Sequence, residues 1–252
     1  MDPKIIEGKT EFELALLVSN IIERKTDFEI FRLSYSAFVD QISEELAASR
    51  SVERFLEVYR KTGLVQEKQV GMELWHSDIV RVFDSKEGIP ITLGILLIET
   101  ANRCGFQAKG VNYPGHFLVS LNDDLVDPMS LLRLDPEKFE NADTGSESLL
   151  VPVAPLIVLL RMLNNLRALY IRAETWIKAV EMIDLQIDIS AHNNRLKASL
   201  IFDKGELWSK MEAYGLARQC FLEAAEFAED SDFVDQCQAR IIELSRSDQV
   251  LH

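Results

Sequence analysis

Cysteine, proline and glycine are all scarce in this 252-residue sequence, at 3, 7 and 11 residues. The three cysteines, at 104, 220 and 237, have no paired spacing, which excludes a disulfide framework. No Cys-x-x-Cys pair or Cys/His cluster suggests a metal, and no cofactor motif is present. Sparse glycine and proline over long stretches favour helices. Basic residues are in deficit, 27 Lys+Arg against 41 Asp+Glu, for a net charge of -14. Such a surface repels phosphate backbones and anionic lipid headgroups, which argues against nucleic-acid and membrane roles. Long apolar runs are missing: the longest, Leu149 to Leu160, has 12 residues and two prolines, too short to span a bilayer. The opening MDPKIIEGKTEFE lacks the basic and apolar regions of a signal peptide. A cytoplasmic protein with a protein or peptide partner is the expectation.

What is there reads first as helix. Phe12, Leu14, Leu16, Leu17, Ile21 and Ile22 recur at helical spacing, with Thr10 and Glu13 as a capping box. A second helix is expected over 27–48, with Phe31, Leu33, Ala37, Phe38, Ile42 and Leu46 inward. Ser51 suits the start of a third, with Gly63 as its stop. A short helix is expected over 73–84, then a central one from Pro90 to Cys104, apolar on almost every face. The pattern then switches to strands at 107–111, 115–121 and 125–127, the last two joined by the turn residues Asn122-Asp123-Asp124. A polar loop over 136–147 leads out. The fold class is therefore mostly α (α+β): a helical N-terminal domain with a small antiparallel sheet over 1–150, and a helical region over 151–252.

The second region carries an internal repeat with an offset of 38. Leu169-Tyr170 falls over Leu207-Trp208, Trp176 over Tyr214, Ala179 over Ala217 and Ile183 over Phe221. The pattern of small and large residues resembles the tetratricopeptide repeat, whose usual period is about 34.

The chemistry-bearing stretch is Gly88 to Asp127. Its order is a central helix, a strand, His116 on the next strand and Asp127 on a third. This order resembles the papain-like transglutaminase core, in which a helix-start Cys, a strand His and a strand Asp or Asn act together. The resemblance implies a small antiparallel sheet of transglutaminase-like type. A helix N-terminus lowers the thiol pKa, the His takes the proton, and the Asp orients the His. Gly88 and Gly105 match the two glycines that bracket the family's helix, and the nucleophile position then falls on Pro90. The nearby Cys104 lies at the opposite helix end, where it reads as a small buried residue. GIPITL, NYPGHFLV and Val-Asp-Pro, followed by tetratricopeptide-like helices, resemble the SirB1 family of bacterial proteins over about residues 10–250. His76 departs from that family's pattern, which more often has Asn.

Each site residue has a bland reading beside the chemical one. His116 is either a hydrogen-bonded structural histidine or half of a retained His–Asp pair in a cleft. Asp127, before Pro128, either orients His116 or only starts a turn. His76 is expected at the surface or between helices. Thr92 would place a hydroxyl near the site, and Trp75, His76, Thr92, Tyr113 and His116 are the candidates for the cleft wall. Two functions follow. One is a pseudoenzyme, a non-catalytic interaction or regulatory scaffold that binds a partner segment without cutting it. The other is a cryptic hydrolase or transferase using His116, Asp127 and Thr92, which needs His116 open rather than sealed by Phe117, Tyr113 or Trp75.

Overall fold

The computed structural model describes residues 6–24, 26–66, 72–138, 150–190 and 192–250. Among them the protein is mostly helical with one small sheet. Two compact units emerge. One is Gly8–Met162; the other takes in the described residues from Leu163 onward, with Ile6 and Glu7. The division falls inside helix α6 (Pro155–Arg172) and not at residue 150.

In the first unit, α1 (Glu11–Ile22) begins with the expected capping box. Glu13 N–H donates to Thr10 Oγ1 (3.2 Å), and Thr10 N–H to Glu13 Oε2 (3.0 Å). Asp27 caps α2 (Phe28–Glu45), and Ser51 caps α3 (Val52–Arg60). The inward face of α2 differs from expectation. Phe31, Tyr35, Val39, Ile42 and Leu46 are buried, whereas Leu33 is 72% exposed and Ala37 lies outside. The buried set follows steps of three and four residues, and Leu33 falls off that stripe. The helix expected over 73–84 is broken in two. A 3-10 turn, Leu74–Ser77, precedes α4 (Ile79–Ser85), because the Asp78 carboxylate turns inward to cap α4 at Val80 N–H (3.0 Å).

Helix α5 (Pro90–Arg103) is the centre of this unit, with Ile91, Leu93, Ile95, Leu96, Leu97, Ile98 and Ala101 all buried. Proline suits its first position, where no N–H is needed. Against α5 lies an antiparallel sheet in the order β1 (Ala108–Tyr113), β2 (His116–Leu121), β3 (Asp124–Val126), β4 (Arg133–Leu134). The short β4 had no clear signal in sequence. Asp127 lies one residue past β3, in a turn, and not on the strand. The loop expected over 136–147 starts as a 3-10 turn, Pro136–Lys138; the rest of it lies outside the described residues.

Phe117 fastens the sheet to the helix. A Cβ built at Gly94 of α5 would stand 2.6 Å from this ring, and one at Gly110 of β1 2.8 Å from it. Both glycines are therefore needed for close approach. The outer edge of β1 is closed by side chains and by a returning segment. Asn102 accepts from Ala108 N–H (2.8 Å) and donates to its carbonyl (3.0 Å); Val153 N–H donates to Gly110 O (2.9 Å). The Glu11 carboxylate accepts Gly110 N–H, and burial raises its pKa despite that bond. Plugging an edge in this way denies it to another strand.

The second unit contains α7 (Trp176–Ile189), α8 (Asn194–Lys210), α9 (Tyr214–Glu226) and α10 (Ser231–Val250) after the end of α6. The 38-residue offset is visible in its turns. Glu174 and Glu212 both take positive φ (54° and 58°), and Thr175 N–H to Tyr170 O mirrors Ala213 N–H to Trp208 O, each 2.9 Å. These bonds satisfy the last carbonyls of α6 and α8 by the same Schellman closure. Gly205 of α8 lets Phe221 of α9 pack at van der Waals range among Ile201, Phe202, Ala217 and Ala224.

The Phe117 contact is testable. Gly94→Ala gains about 1 kcal/mol of helix propensity but overpacks the Phe117 ring, which costs about 1–3 kcal/mol. Net destabilisation in chemical denaturation is expected, relieved in the Gly94→Ala, Phe117→Leu double variant. An additive double variant would remove the proposed contact from the account.

Candidate functional site

The start of α5, the start of β2 and the turn after β3 meet around a cavity of about 340 Å³. Pro90, His116 and Asp127 all line it, with Gly115, Met129 and Leu134 among the remaining wall. The three positions that the sequence placed in one constellation are thus brought together. Gly88 precedes them at a place where a Cβ would sit 2.7 Å from Val82, and its N–H donates to Gln66 Oε1 (3.0 Å).

His116 is set by a two-residue hairpin turn. Tyr113 pairs with His116 across it, and Pro114-Gly115 fills the corner, Gly115 at φ 76°. The imidazole is exposed, so it is not sealed by Tyr113, Phe117 or Trp75. Arg161 of α6 clamps the turn from behind. Its guanidinium donates to Tyr113 O (3.2 Å), to His116 O (2.9 Å) and to the Asn112 side-chain oxygen. It also lies 6.0 Å from the Phe117 ring centroid. Desolvation lowers the pKa of Arg161. A charged group is held here because three oxygens replace its water. The sequence reading missed Arg161, although a single cation right after the apolar run 149–160 was a usable signal.

Asp127 faces the same cavity, but both carboxylate oxygens serve its own turn. Oδ1 accepts Met129 N–H (3.0 Å); Oδ2 accepts Ser130 N–H (3.3 Å) and the Ser130 hydroxyl (2.6 Å). No hydrogen bond joins Asp127 to His116 among the described residues. The turn-starting role is met in full, and the orienting role is not seen.

Four of the five expected wall residues do not line the cavity. Thr92 is fully buried, its hydroxyl donating to His76 O (2.8 Å) and accepting Ile89 N–H (3.1 Å). It is a cap for α5 and does not line the cavity, because the third helical position points inward from Pro90. His76 is 3% exposed and not at the surface; Nδ1 accepts Glu73 N–H at 2.9 Å. Burial lowers its pKa from 6.5, against the opposing pull of Glu87 and Glu73. Trp75 lies tilted against the His76 ring (centroids 3.8 Å, 33° between the planes) and faces a separate hollow with Arg81 and Asp84. Tyr113 is half-buried beside the cavity, its ring 6.3 Å from that of His116.

No cysteine lines the cavity. Cys104 caps the far end of α5, buried, and desolvation raises its thiol pKa, as it does for Cys220 and Cys237. Among the described residues no group of three or more His, Cys, Asp or Glu is placed to hold a metal ion, and no helix is long and apolar enough to cross a membrane.

The family profile of the transglutaminase-like superfamily matches residues 32–164. The chain is similar to a UPF0162 protein of Xylella fastidiosa strain Temecula1, 30% identical over 162 residues, 58% of this chain and 57% of that protein. It is similar to a UPF0162 protein of X. fastidiosa strain 9a5c, 25% identical over 223 residues, 82% of this chain and 77% of that protein. A UPF0162 protein of Vibrio cholerae is 26% identical over 124 residues, 47% and 44% of the two chains. The matches thus span from under half to about three quarters of those relatives' lengths. No solved structure gives a significant match.

Removing the clamp should loosen the hairpin. Arg161→Ala is expected to cost about 1–2 kcal/mol, since hydrogen bonds to a charged group contribute at that level. Amide exchange at Tyr113–Phe117 should quicken, with Arg161→Lys intermediate. Unchanged exchange at the hairpin would mean that Arg161 does not hold it.

Proposed function

We propose that this chain, which belongs to the transglutaminase-like superfamily, is a non-catalytic member whose cleft at Pro90, His116 and Asp127 holds a segment of a protein partner without cutting it. The observation that carries this reading is the residue at the start of α5. In this superfamily's order of elements, we read Pro90 as standing where the nucleophile would be, and a prolyl ring offers neither a thiol nor a hydroxyl. The nearest hydroxyl along the helix, on Thr92, is buried and fully engaged. His116 alone would supply general acid–base help of roughly 10²–10⁴-fold, small without a nucleophile or a second free carboxylate.

The partner is read as protein. The cavity wall mixes Met129, Leu134 and Pro90 with one imidazole and the Asp127 carboxylate, a lining that suits side chains of a peptide better than a phosphate. A net charge of -14 weighs against nucleic acid and anionic lipid. The likeness to UPF0162 proteins of bacteria supports a bacterial setting, and the SirB1 resemblance fits the same superfamily. The repeated turns at Glu174 and Glu212 support reading the second unit as tetratricopeptide-like helix pairs, a second surface suited to a peptide or partner helix. We place the protein in the cytoplasm on the same sequence grounds.

The test pairs binding with turnover on the full chain. A peptide library titrated against isotope-labelled protein should shift resonances of His116, Met129 and Leu134. Met129→Glu, which puts a charge in the apolar wall, should weaken that binding at least tenfold, about 1.4 kcal/mol. Amide-hydrolysis and acyl-transfer assays should show no rate above buffer. Turnover that disappears in His116→Ala would overturn the reading in favour of the cryptic enzyme.

A further inference from the structure

His76 does a job that no nearby chemistry explains. It sits 3% exposed in the 3-10 turn Leu74–Ser77, and the polar atoms around it are poorly satisfied. Its Nε2 and the neighbouring Ser77 Oγ are buried without a hydrogen-bond partner among the described residues. Unpaired buried polar groups are rare and ask for a reason. A side chain that only had to close the turn would need one acceptor for Glu73 N–H, which an amide oxygen supplies without titrating.

We propose that His76 is an acid-sensitive latch on the first turn of α5. Two hydrogen bonds make the connection. Nδ1 accepts Glu73 N–H (2.9 Å) and so closes the 3-10 turn; the carbonyl of the same residue accepts the Thr92 hydroxyl (2.8 Å). Thr92 in turn accepts Ile89 N–H (3.1 Å), the residue before Pro90. Because Nδ1 is the acceptor, the neutral ring carries its proton on Nε2. A proton arriving from solvent adds to the Nδ1 lone pair. Nδ1 then becomes a donor facing the donor Glu73 N–H, and that bond is lost. The turn opens and the His76 carbonyl leaves Thr92, whose hydroxyl keeps Ile89 O (2.9 Å) as its other acceptor; the first turn of α5 retains its own cap but loses its tie to the 3-10 turn, and so opens more readily.

The charges facing the ring set the direction. Glu73 on its own turn and Glu87 in the α4–α5 connection favour the charged ring. Trp75 lies tilted beside its face, α5 brings the neutral Thr92, and Asp78 follows two residues on at the start of α4. Asp78, which caps α4, is itself desolvated, which raises its pKa. Burial outweighs the two carboxylates, so the folded ring binds its proton less readily than the open one. The latched form is then at full strength above the ordinary 6.5 and weakens as pH falls from there towards the lowered folded value. One proton changes the opening equilibrium by at most about tenfold per pH unit.

The test does not depend on what the cleft binds, so its failure leaves the functional reading untouched. Amide exchange of the full chain is measured at about pH 7.5 and about pH 5.5, corrected for intrinsic chemistry, with α8 and α9 as reference. Opening at Glu73–Ser77 and at Ile89–Leu93 should rise together in acid by up to about tenfold per pH unit, and His76→Asn should abolish that rise. In parallel, nitrogen NMR of the wild-type imidazole should report the Nε2–H tautomer at the higher pH and a protonation midpoint coinciding with the amide opening. That second measurement needs no variant and decides the matter if His76→Asn fails to fold. An acid response retained in His76→Asn overturns the latch. So does an imidazole that titrates while Ile89–Leu93 stays closed.

Discussion

The Phe117 ring, lodged between Gly94 of α5 and Gly110 of β1, is the contact on which the rest of the first unit depends. It is fully buried and neighbours His116 in the chain, so the depth at which it seats sets where the imidazole stands relative to Pro90. Two missing side chains make that depth possible. With a Cβ at either glycine the ring would meet an atom at under 3 Å, and the sheet would have to lift from the helix. The guanidinium of Arg161 then closes over the same ring and holds the hairpin by its carbonyls. Apolar seating thus fixes position, and a desolvated cation fixes the tip.

Most of the polar side chains described in the first unit are employed in building that unit. Asp127 folds its own turn, Thr92 caps the central helix, Glu11 and Asn102 close the free edge of β1, and His76 closes a 3-10 turn. A catalytic triad needs the opposite: side chains left free of structural duty and aimed at a common point. Of the polar side chains lining the cavity, His116 meets that description, exposed and with no carboxylate bonded to it among the described residues. This division of labour is one ground for the proposal of a non-catalytic cleft, lined at its helix end by a proline that the helix itself favours.

In the second unit the constraint is repetition. Glu174 and Glu212 adopt the left-handed conformation at equivalent places, although neither is glycine, because each follows a helix whose last carbonyls need the same closing bond. The small residues Ala217 and Ala224 of α9, with Gly205 of α8, give Phe221 room at the centre of the α8–α9–α10 cluster. Stacked pairs of this kind stabilise one another through neighbour contacts more than through any single long-range bond.

Local signals were enough for most of the helices, the caps at Thr10 and Ser51, the turn at Asn122-Asp123-Asp124 and the 38-residue offset, because each depends on residues close together in the chain. The order of helix, His and Asp was equally legible, and with it the superfamily. What only the tertiary structure decided was the use of each polar group. Whether Thr92 faces a cleft or a buried carbonyl, whether Asp127 meets His116 or its own Met129 and Ser130, and whether His76 is wet or dry turn on neighbours distant in sequence or on which way a turn folds. The inward face of α2 failed for the same reason, since Leu33 and Tyr35 are both apolar enough to be buried and only the packing against Phe12 and Phe83 selects Tyr35. Apolar periodicity encodes that a face is buried; the partner surface decides which one.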